Sequence, residues 1–318
     1  MAIKINEFTM KSTSKANVDL QCFEVFDDSK EPKGIVQFTH GLSECTEMFM
    51  PVLKWLAENG YYVVSMDFLG HGKTVGPGCV GITPSDTNKA IWKDMYNLQK
   101  KALKKYPKLP VYMYAHSMGS MMTRTFLVKY KNKVHVNACF LSGDSSLPSV
   151  TFLLIPVAHI LGVFLSHYPQ DLEKRRNTFE LKDYGKKVPI VTRAMMSWIS
   201  FDKEHRTNFA NSPYSSGVNA SMINILSFVL KAFTTFASAD KLGWANKFPD
   251  ETYIFHGCGR WDIAGFLGFG PKILHSKLER AGKNHGLKLY KHSMHEVHVE
   301  KEAKDGFYKD IIEVFNNH

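Results

Sequence analysis

Short apolar runs that alternate with helix-patterned stretches constrain this chain more than any other feature of its sequence. GIVQFTHG (34–41), YYVVSMDFLG (61–70), PVYMYAHSMG (110–119) and VNACFLSGD (136–144) each read as a buried strand. Between them, Thr46 to Glu58 and Thr87 to Lys105 carry apolar residues at helical spacing, and Met118 to Tyr130 follows the third run directly. Such alternation predicts an α/β protein whose mostly parallel sheet is covered by helices on both faces. Ahead of it, Glu7 to Phe26 alternates apolar and polar residues around a polar turn near Ser14 to Asn17, the pattern of a β-hairpin.

After Asp144 the pattern becomes helical, polar and irregular, with aromatic residues scattered from Val150 to Phe248. Strand signals return in TYIFHG (252–257) and LKLYKH (287–292), with a helix over Pro271 to Arg280 and a last amphipathic helix near Lys301 to Phe315. A chain of 318 residues is long for one domain and short for two ordinary ones. The pattern resolves this as one core, residues 1–147 and 251–318, carrying a cap insertion at 148–250. The most apolar part of the insertion, PSVTFLLIPVAHILGVFL (148–165), approaches the length of a membrane span. Pro156, His159 and Gly162 interrupt it, so a buried or interfacial helix is expected instead.

Function classes are narrowed by composition. With 44% hydrophobic and 22% charged residues, disordered, collagen-like and disulfide-scaffold classes are excluded. The five cysteines, Cys22, Cys45, Cys79, Cys139 and Cys258, are widely spread without a C-x-x-C pair, which argues against a disulfide framework or a zinc site. A reducing compartment fits them, and the N-terminal stretch lacks the apolar core of a secretory signal, so a cytoplasmic location is expected. No metal or organic cofactor is suggested. The net charge of +10 suits a polyanionic partner. Nucleic acid is not expected, because Lys100, Lys101, Lys104 and Lys105 read as the solvated face of an amphipathic helix without a reader motif. Peripheral contact with an anionic membrane surface is the expectation that remains.

The chemistry is concentrated in Ala115-His116-Ser117-Met118-Gly119, placed between a predicted strand and a predicted helix. This is the setting of a nucleophile elbow, a sharp turn that exposes the serine hydroxyl and needs small residues two before and two after it. The plainer reading is a serine N-cap at an ordinary strand-to-helix junction. As the first helical residue, Met118 would present its amide to a bound oxyanion. A second amide, from Leu42, is expected in the loop His40-Gly41-Leu42-Ser43-Glu44 that closes an earlier strand.

An activated serine needs an imidazole base, and the base needs a carboxylate. Two candidates follow predicted strands: Asp262, in the loop Gly259-Arg260-Trp261-Asp262, and Asp144, whose alternative role is helix capping. Chain order, taken together with the family resemblance given below, favours Asp262. The loop after the last strand offers His292, at the strand end, His298, at the expected helix start, and His295 between them. His295 is placed to reach Ser117, and Glu296 beside it is expected to begin the helix, where a carboxylate suits the dipole.

The sequence resembles α/β-hydrolases of the monoacylglycerol lipase and lysophospholipase-like group, often filed with the serine aminopeptidase family. HGLSE (40–44), MDFLGHGKT (66–74), LPVYMYAHSMGS (109–120), SWISFDKE (197–204), GRWDIAGFLGFG (259–270) and LKLYKHSMHEVHVE (287–300) carry the resemblance across nearly the whole chain. It implies the α/β-hydrolase fold with a helical cap, Ser117 as nucleophile, Asp262 as acid, His295 as base, and Leu42 and Met118 as oxyanion donors. Ala115 stands where the family has glycine, Phe68-Leu69 where it usually has a basic residue, and Arg260-Trp261 where it has small or charged ones. The implied activity is cleavage of carboxylic esters, of monoacylglycerol or lysophospholipid type, through an acyl-enzyme. A small-molecule acyl ester is then the substrate. The apolar run 150–165 and Phe228, Phe233 and Phe236 have two readings from their patterning: the lining of an acyl tunnel, or the apolar face that an inserted helical cap must bury against the core. A carboxylesterase or amidase for small substrates, and a non-catalytic binding protein on the same fold, are the alternatives.

Overall fold

The computed structural model describes residues 3–146, 197–215 and 243–318. Of the expected insertion, the apolar run 148–165 and Phe228, Phe233 and Phe236 lie outside these residues. Eight strands form one sheet: β1 (Ile3–Lys11), β2 (Asp19–Asp27), β3 (Gly34–Thr39), β4 (Tyr61–Met66), β5 (Val111–His116), β6 (Ala138–Ser142), β7 (Tyr253–Gly259) and β8 (His285–Tyr290). Their order is β1-β2-β4-β3-β5-β6-β7-β8. From β4 to β8 every pairing is parallel, while β1 and β2 are antiparallel to each other and β2 to β4.

The continuous apolar runs have the physical cause inferred for them. All six residues of β3, β4 and β5 and all five of β6 are buried, because helices cover both faces. Ile35, Met113, Ala115 and Leu141 point to one face, where they pack with α3 (Thr87–Lys105), α4 (Met118–Tyr130), α6 (Trp244–Lys247) and α7 (Phe269–Arg280). Val36, Phe38, Tyr112, Tyr114 and Phe140 point to the other, against α1 (Met50–Glu58) and α8 (Lys304–Asn317). The remaining helices among the described residues are α2 (Gly72–Val75), which follows β4, and α5 (Lys203–Asn211). All five cysteines are buried, and none forms a disulfide. No helix among the described residues is long and apolar enough to cross a membrane.

Several boundaries differ from the sequence expectation. The hairpin pairs from Ile3 with Asp27 to Lys11 with Asp19, longer than predicted, because β1 is an exposed edge where polar residues pair freely. The helix expected over Thr46 to Glu58 is a 3₁₀ turn, Thr46–Phe49, followed by α1. Pro51, in the first turn of α1, is tolerated there but cannot continue an α-helix from upstream. The final helix begins at Lys304 rather than Lys301, since a second 3₁₀ turn, Val297–Val299, occupies the preceding chain. The lysines of α3 are solvated, but Lys101 also lies 4.7 Å over Phe8, and Lys105 lies 4.5 Å over Tyr62. Part of the basic surface therefore shields aromatic rings of the sheet.

Phe140 packs against Tyr114, Phe255 and Phe307 where the sheet meets α8. Phe140→Ala is expected to lower the unfolding free energy by about 3–5 kcal/mol. Urea denaturation followed by circular dichroism measures the loss.

Candidate active site

Ser117 lies at the junction of β5 and α4 with φ 53° and ψ −122°. A non-glycine residue in this region stores about 1–3 kcal/mol of strain, which the surroundings must hold. The Ser117 amide donates to the Ser142 carbonyl at 2.8 Å, and the Ser120 hydroxyl donates to the same oxygen at 2.8 Å. Gly119 lets α4 start against the end of β3, because a Cβ there would sit 2.3 Å from the Thr39 carbonyl oxygen. Ser117 occupies the N-cap position, yet its side chain makes no capping hydrogen bond. The plain N-cap reading therefore fails. Met118 is the first residue of α4, so its amide has no acceptor within the helix.

The loop after β3 packs onto this turn. His40 is buried between two backbone groups: its Nδ1–H donates to the Gly41 carbonyl at 2.8 Å, and its Nε2 accepts from the Phe68 amide at 3.0 Å. Burial pushes its pKa well down, so it is a neutral spacer. The Gly41 amide is taken by Glu44 Oε2 at 2.6 Å, and Ser43 turns the chain with φ 62°. Leu42 lies between them, half-buried.

Asp262 and His295 meet across the loops that follow β7 and β8. His295 Nδ1–H donates to Asp262 Oδ2 at 2.9 Å, and both side chains are buried. The Trp261 amide donates to the Ser293 carbonyl at 2.9 Å, and the Arg260 amide to the Tyr290 carbonyl at 2.9 Å. Gly259 makes the approach possible, since a Cβ would fall 1.8 Å from the Met294 carbonyl oxygen. The His295 ring lies against Gly143 and is 4.7 Å from the ring of His116, the residue preceding Ser117. Burial lowers the pKa of His295, but the neighbouring carboxylates, Asp262 foremost with Glu44 and Glu296, outweigh this and leave it above the ordinary histidine value. For Asp262, burial raises the pKa and His295 outweighs it, leaving the carboxyl below its ordinary range.

Asp144, the rival acid, is committed elsewhere. Its oxygens accept from Arg124 Nε at 2.9 Å and from the Arg124 guanidinium again at 3.1 Å, and His256 lies 3.2 Å away. Burial raises its pKa, yet Arg124 holds it below the ordinary range. His292 lies beyond the end of β8 and is exposed, while His298 is buried in the second 3₁₀ turn, stacked 4.4 Å from Phe49. Burial pushes the pKa of His298 down to about 3. Neither is paired with Asp262, in contrast to His295.

Glu296 does not begin the last helix as expected. It precedes the 3₁₀ turn, and its buried Oε2 lies 2.5 Å from His205 Nε2 on α5. Sequence reasoning missed three members of the polar cluster here: His116, His205 and the inward-facing Glu44. Glu44 Oε1 lies 3.2 Å from His116 Nε2, and both are buried. Glu44, His116 and Glu296 bring three potential metal-ligand atoms within 4.8 Å of one another. Internal pairs already engage Glu44, through the Gly41 amide, and Glu296, through His205. For His116 and Glu44 the signal was a polar residue placed at or just after the end of a buried strand, whereas His205 lies on a helix, and burial of these side chains is not visible locally.

Comparison with known proteins bears on the family and the fold. The family model described as Serine aminopeptidase, S33 (Hydrolase_4) matches residues 30–258. The chain is 26% identical over 142 residues to a protein of Mycolicibacterium smegmatis named monoacylglycerol lipase, a match spanning 44% of this chain and 49% of that protein. It is 21% identical over 256 residues to the monoglyceride lipase of Saccharomyces cerevisiae, spanning 80% and 76%. Among solved structures, a lipase in an open form superposes with a TM-score of 0.80 at 20% identity over 99% of both chains. A carboxyl esterase from Bacillus coagulans gives 0.76 at 22% identity over 99% of both. A soluble variant of the yeast monoglyceride lipase gives 0.68 at 19% identity, covering 98% of this chain and 94% of that one. These likenesses confirm the α/β-hydrolase fold.

Removing the Asp262 carboxylate leaves the burial that opposes charging His295. Asp262→Asn is therefore expected to move the His295 pKa downward, as followed by NMR titration of the imidazole Cε1–H resonance.

Proposed function

The chain belongs to the serine aminopeptidase S33 family of α/β-hydrolases, and from that premise we propose that it is a serine ester hydrolase acting through Ser117, His295 and Asp262. The observation that carries the reading is the strained turn at Ser117 together with a buried His295 that is bonded to Asp262 at 2.9 Å and lies 4.7 Å from the ring of His116, the residue preceding the serine. His295 takes the serine proton as the hydroxyl attacks an ester carbonyl. The amides of Leu42 and Met118 receive the developing oxyanion; the Gly41 amide is excluded by its bond to Glu44. His295 then protonates the leaving alcohol and activates the water that cleaves the acyl-enzyme, while Asp262 fixes its tautomer and stabilises the imidazolium.

The substrates we propose are monoacylglycerol or lysophospholipid type esters, in line with the names of the mycobacterial and yeast relatives. A second observation supports a lipid setting. The acid loop and the start of α7 expose Trp261, Ile263, Phe266, Leu267, Phe269 and Ile273, with Ile263 at 60% and Phe269 at 66%. Arg260 and Lys272 flank them, and the chain carries +10. Apolar side chains rimmed by cations suit peripheral contact with an anionic lipid surface. The likeness to the Bacillus esterase keeps a second reading, a carboxylesterase for short esters.

Ser117→Ala is expected to reduce ester hydrolysis by about a million-fold and to abolish labelling by a fluorophosphonate probe. Undiminished activity would overturn the assignment. Across a panel of p-nitrophenyl and monoacylglycerol esters, kcat/KM is expected to rise with acyl length; a preference for acetyl esters would select the second reading. Sedimentation with phosphatidylserine vesicles is expected to carry the protein down at low salt, and the double variant Ile263→Ser/Phe269→Ser to weaken that binding about tenfold or more. Equal binding of the variant would remove the acid loop from the lipid contact.

A further inference from the structure

The segment 197–215 is fastened to the loop that bears His295. The Glu296 amide donates to the Ile199 carbonyl at 2.9 Å. Glu300 Oε1 accepts from the Phe201 amide at 3.0 Å and from the Met294 amide at 3.1 Å, so one carboxylate ties both segments together. The Trp198 ring lies 4.8 Å from the ring of His295 itself. One side-chain pair completes the joint: His205 Nε2 and Glu296 Oε2, 2.5 Å apart. Asp202 caps α5 through the Glu204 and His205 amides, which fixes where His205 starts. A cleft of about 500 Å³ lined by Phe201, Asp202, Lys203, His292 and Glu300 runs along the same seam and gives it access to water.

Glu296 has other candidate partners close by. His298 Nε2 lies 4.0 Å from its Oε2, and a ring nitrogen of His116 is within 4.8 Å of a Glu296 oxygen. A buried carboxylate deprived of its cation must find another or take up a proton. Any such move displaces the peptide next to His295. We propose that His205 is a positioning residue for the reaction: its imidazolium holds Glu296 toward α5 and away from His116 and His298, and so fixes the turn that aims His295 at Ser117. This inference rests on the Ser117–His295–Asp262 reading given above.

The groups facing His205 are Glu296 and Glu300 from the histidine loop, Asp202 from its own helix and, across the seam, the ring of His298 at 6.4 Å. Burial lowers the His205 pKa, and the three carboxylates outweigh it, leaving it above the ordinary histidine value. The charged form therefore persists above the pH at which an ordinary histidine loses its proton, and is lost as pH rises through the raised pKa. His295 has the opposite requirement, since only its neutral form accepts the serine proton. Activity thus rises with pH as His295 loses its proton and falls again where His205 loses its own.

The test compares full-length wild-type, His205→Gln, His205→Lys and Ser117→Ala proteins on one soluble p-nitrophenyl ester across pH. His205→Gln is expected to lower kcat about 10–100-fold with little change in KM, the signature of a misplaced base. His205→Lys, which keeps a cation, is expected to restore most of kcat and carry the alkaline limb to higher pH. Should His205→Gln not fold, the displaced alkaline limb of His205→Lys decides by itself. Wild-type kcat in His205→Gln, or an alkaline limb unmoved in His205→Lys, would overturn the proposal while an inactive Ser117→Ala left the triad standing. Activity retained in Ser117→Ala would instead show that the underlying triad reading had failed.

Discussion

The backbone of Ser117 sits at φ 53° and ψ −122°, and the packing of three strands follows from keeping it there. β5 delivers the serine, β6 accepts its amide through Ser142, and β3 ends where Gly119 must pass within contact of the Thr39 carbonyl. Each is a central, fully buried strand, so the strain is carried by the most rigid part of the sheet. Ala115, two residues before the serine, is also wholly buried between Thr39 and Leu141 in the neighbouring strands. The extra methyl group relative to glycine is accommodated in the core and leaves the turn intact.

Around this turn the chain buries several carboxylates, and each is assigned a different partner. Asp262 is bonded to His295, Asp144 to Arg124, Glu296 to His205, and Glu44 to the Gly41 amide beside His116. Unpaired, any of them would be costly in so dry a place, and their closeness makes mispairing a real hazard. Committing Asp144 to Arg124 removes it as a competitor of Asp262 for His295. Committing Glu296 to His205 leaves Asp262 as the carboxylate bonded to the His295 ring, and joins segment 197–215 to the site as part of its geometry.

Much of this was legible in the chain because it depends on local pattern. Continuous apolar runs marked the central strands, since burial on both faces removes the need for alternation. The elbow was legible from A-H-S-M-G because steric crowding acts within five residues. Legibility failed where the deciding partner lay far along the chain. Glu296 looked like a helix start because an acidic residue suits one, whereas the actual determinant, His205, is remote in sequence. Pro51 was visible, but its consequence, a 3₁₀ turn in place of one long helix, was not drawn from the apolar spacing alone.

Sequence by itself therefore determined the strand and helix alternation, the α/β class and the sharp turn at the serine. Tertiary structure decided which of two aspartates and three histidines came together, and what neutralised the carboxylates left over. The reason is physical: backbone pattern and steric crowding act between neighbours in the chain, while pairing of buried charges depends on distances that exist only once the sheet has brought its loop ends to a common edge.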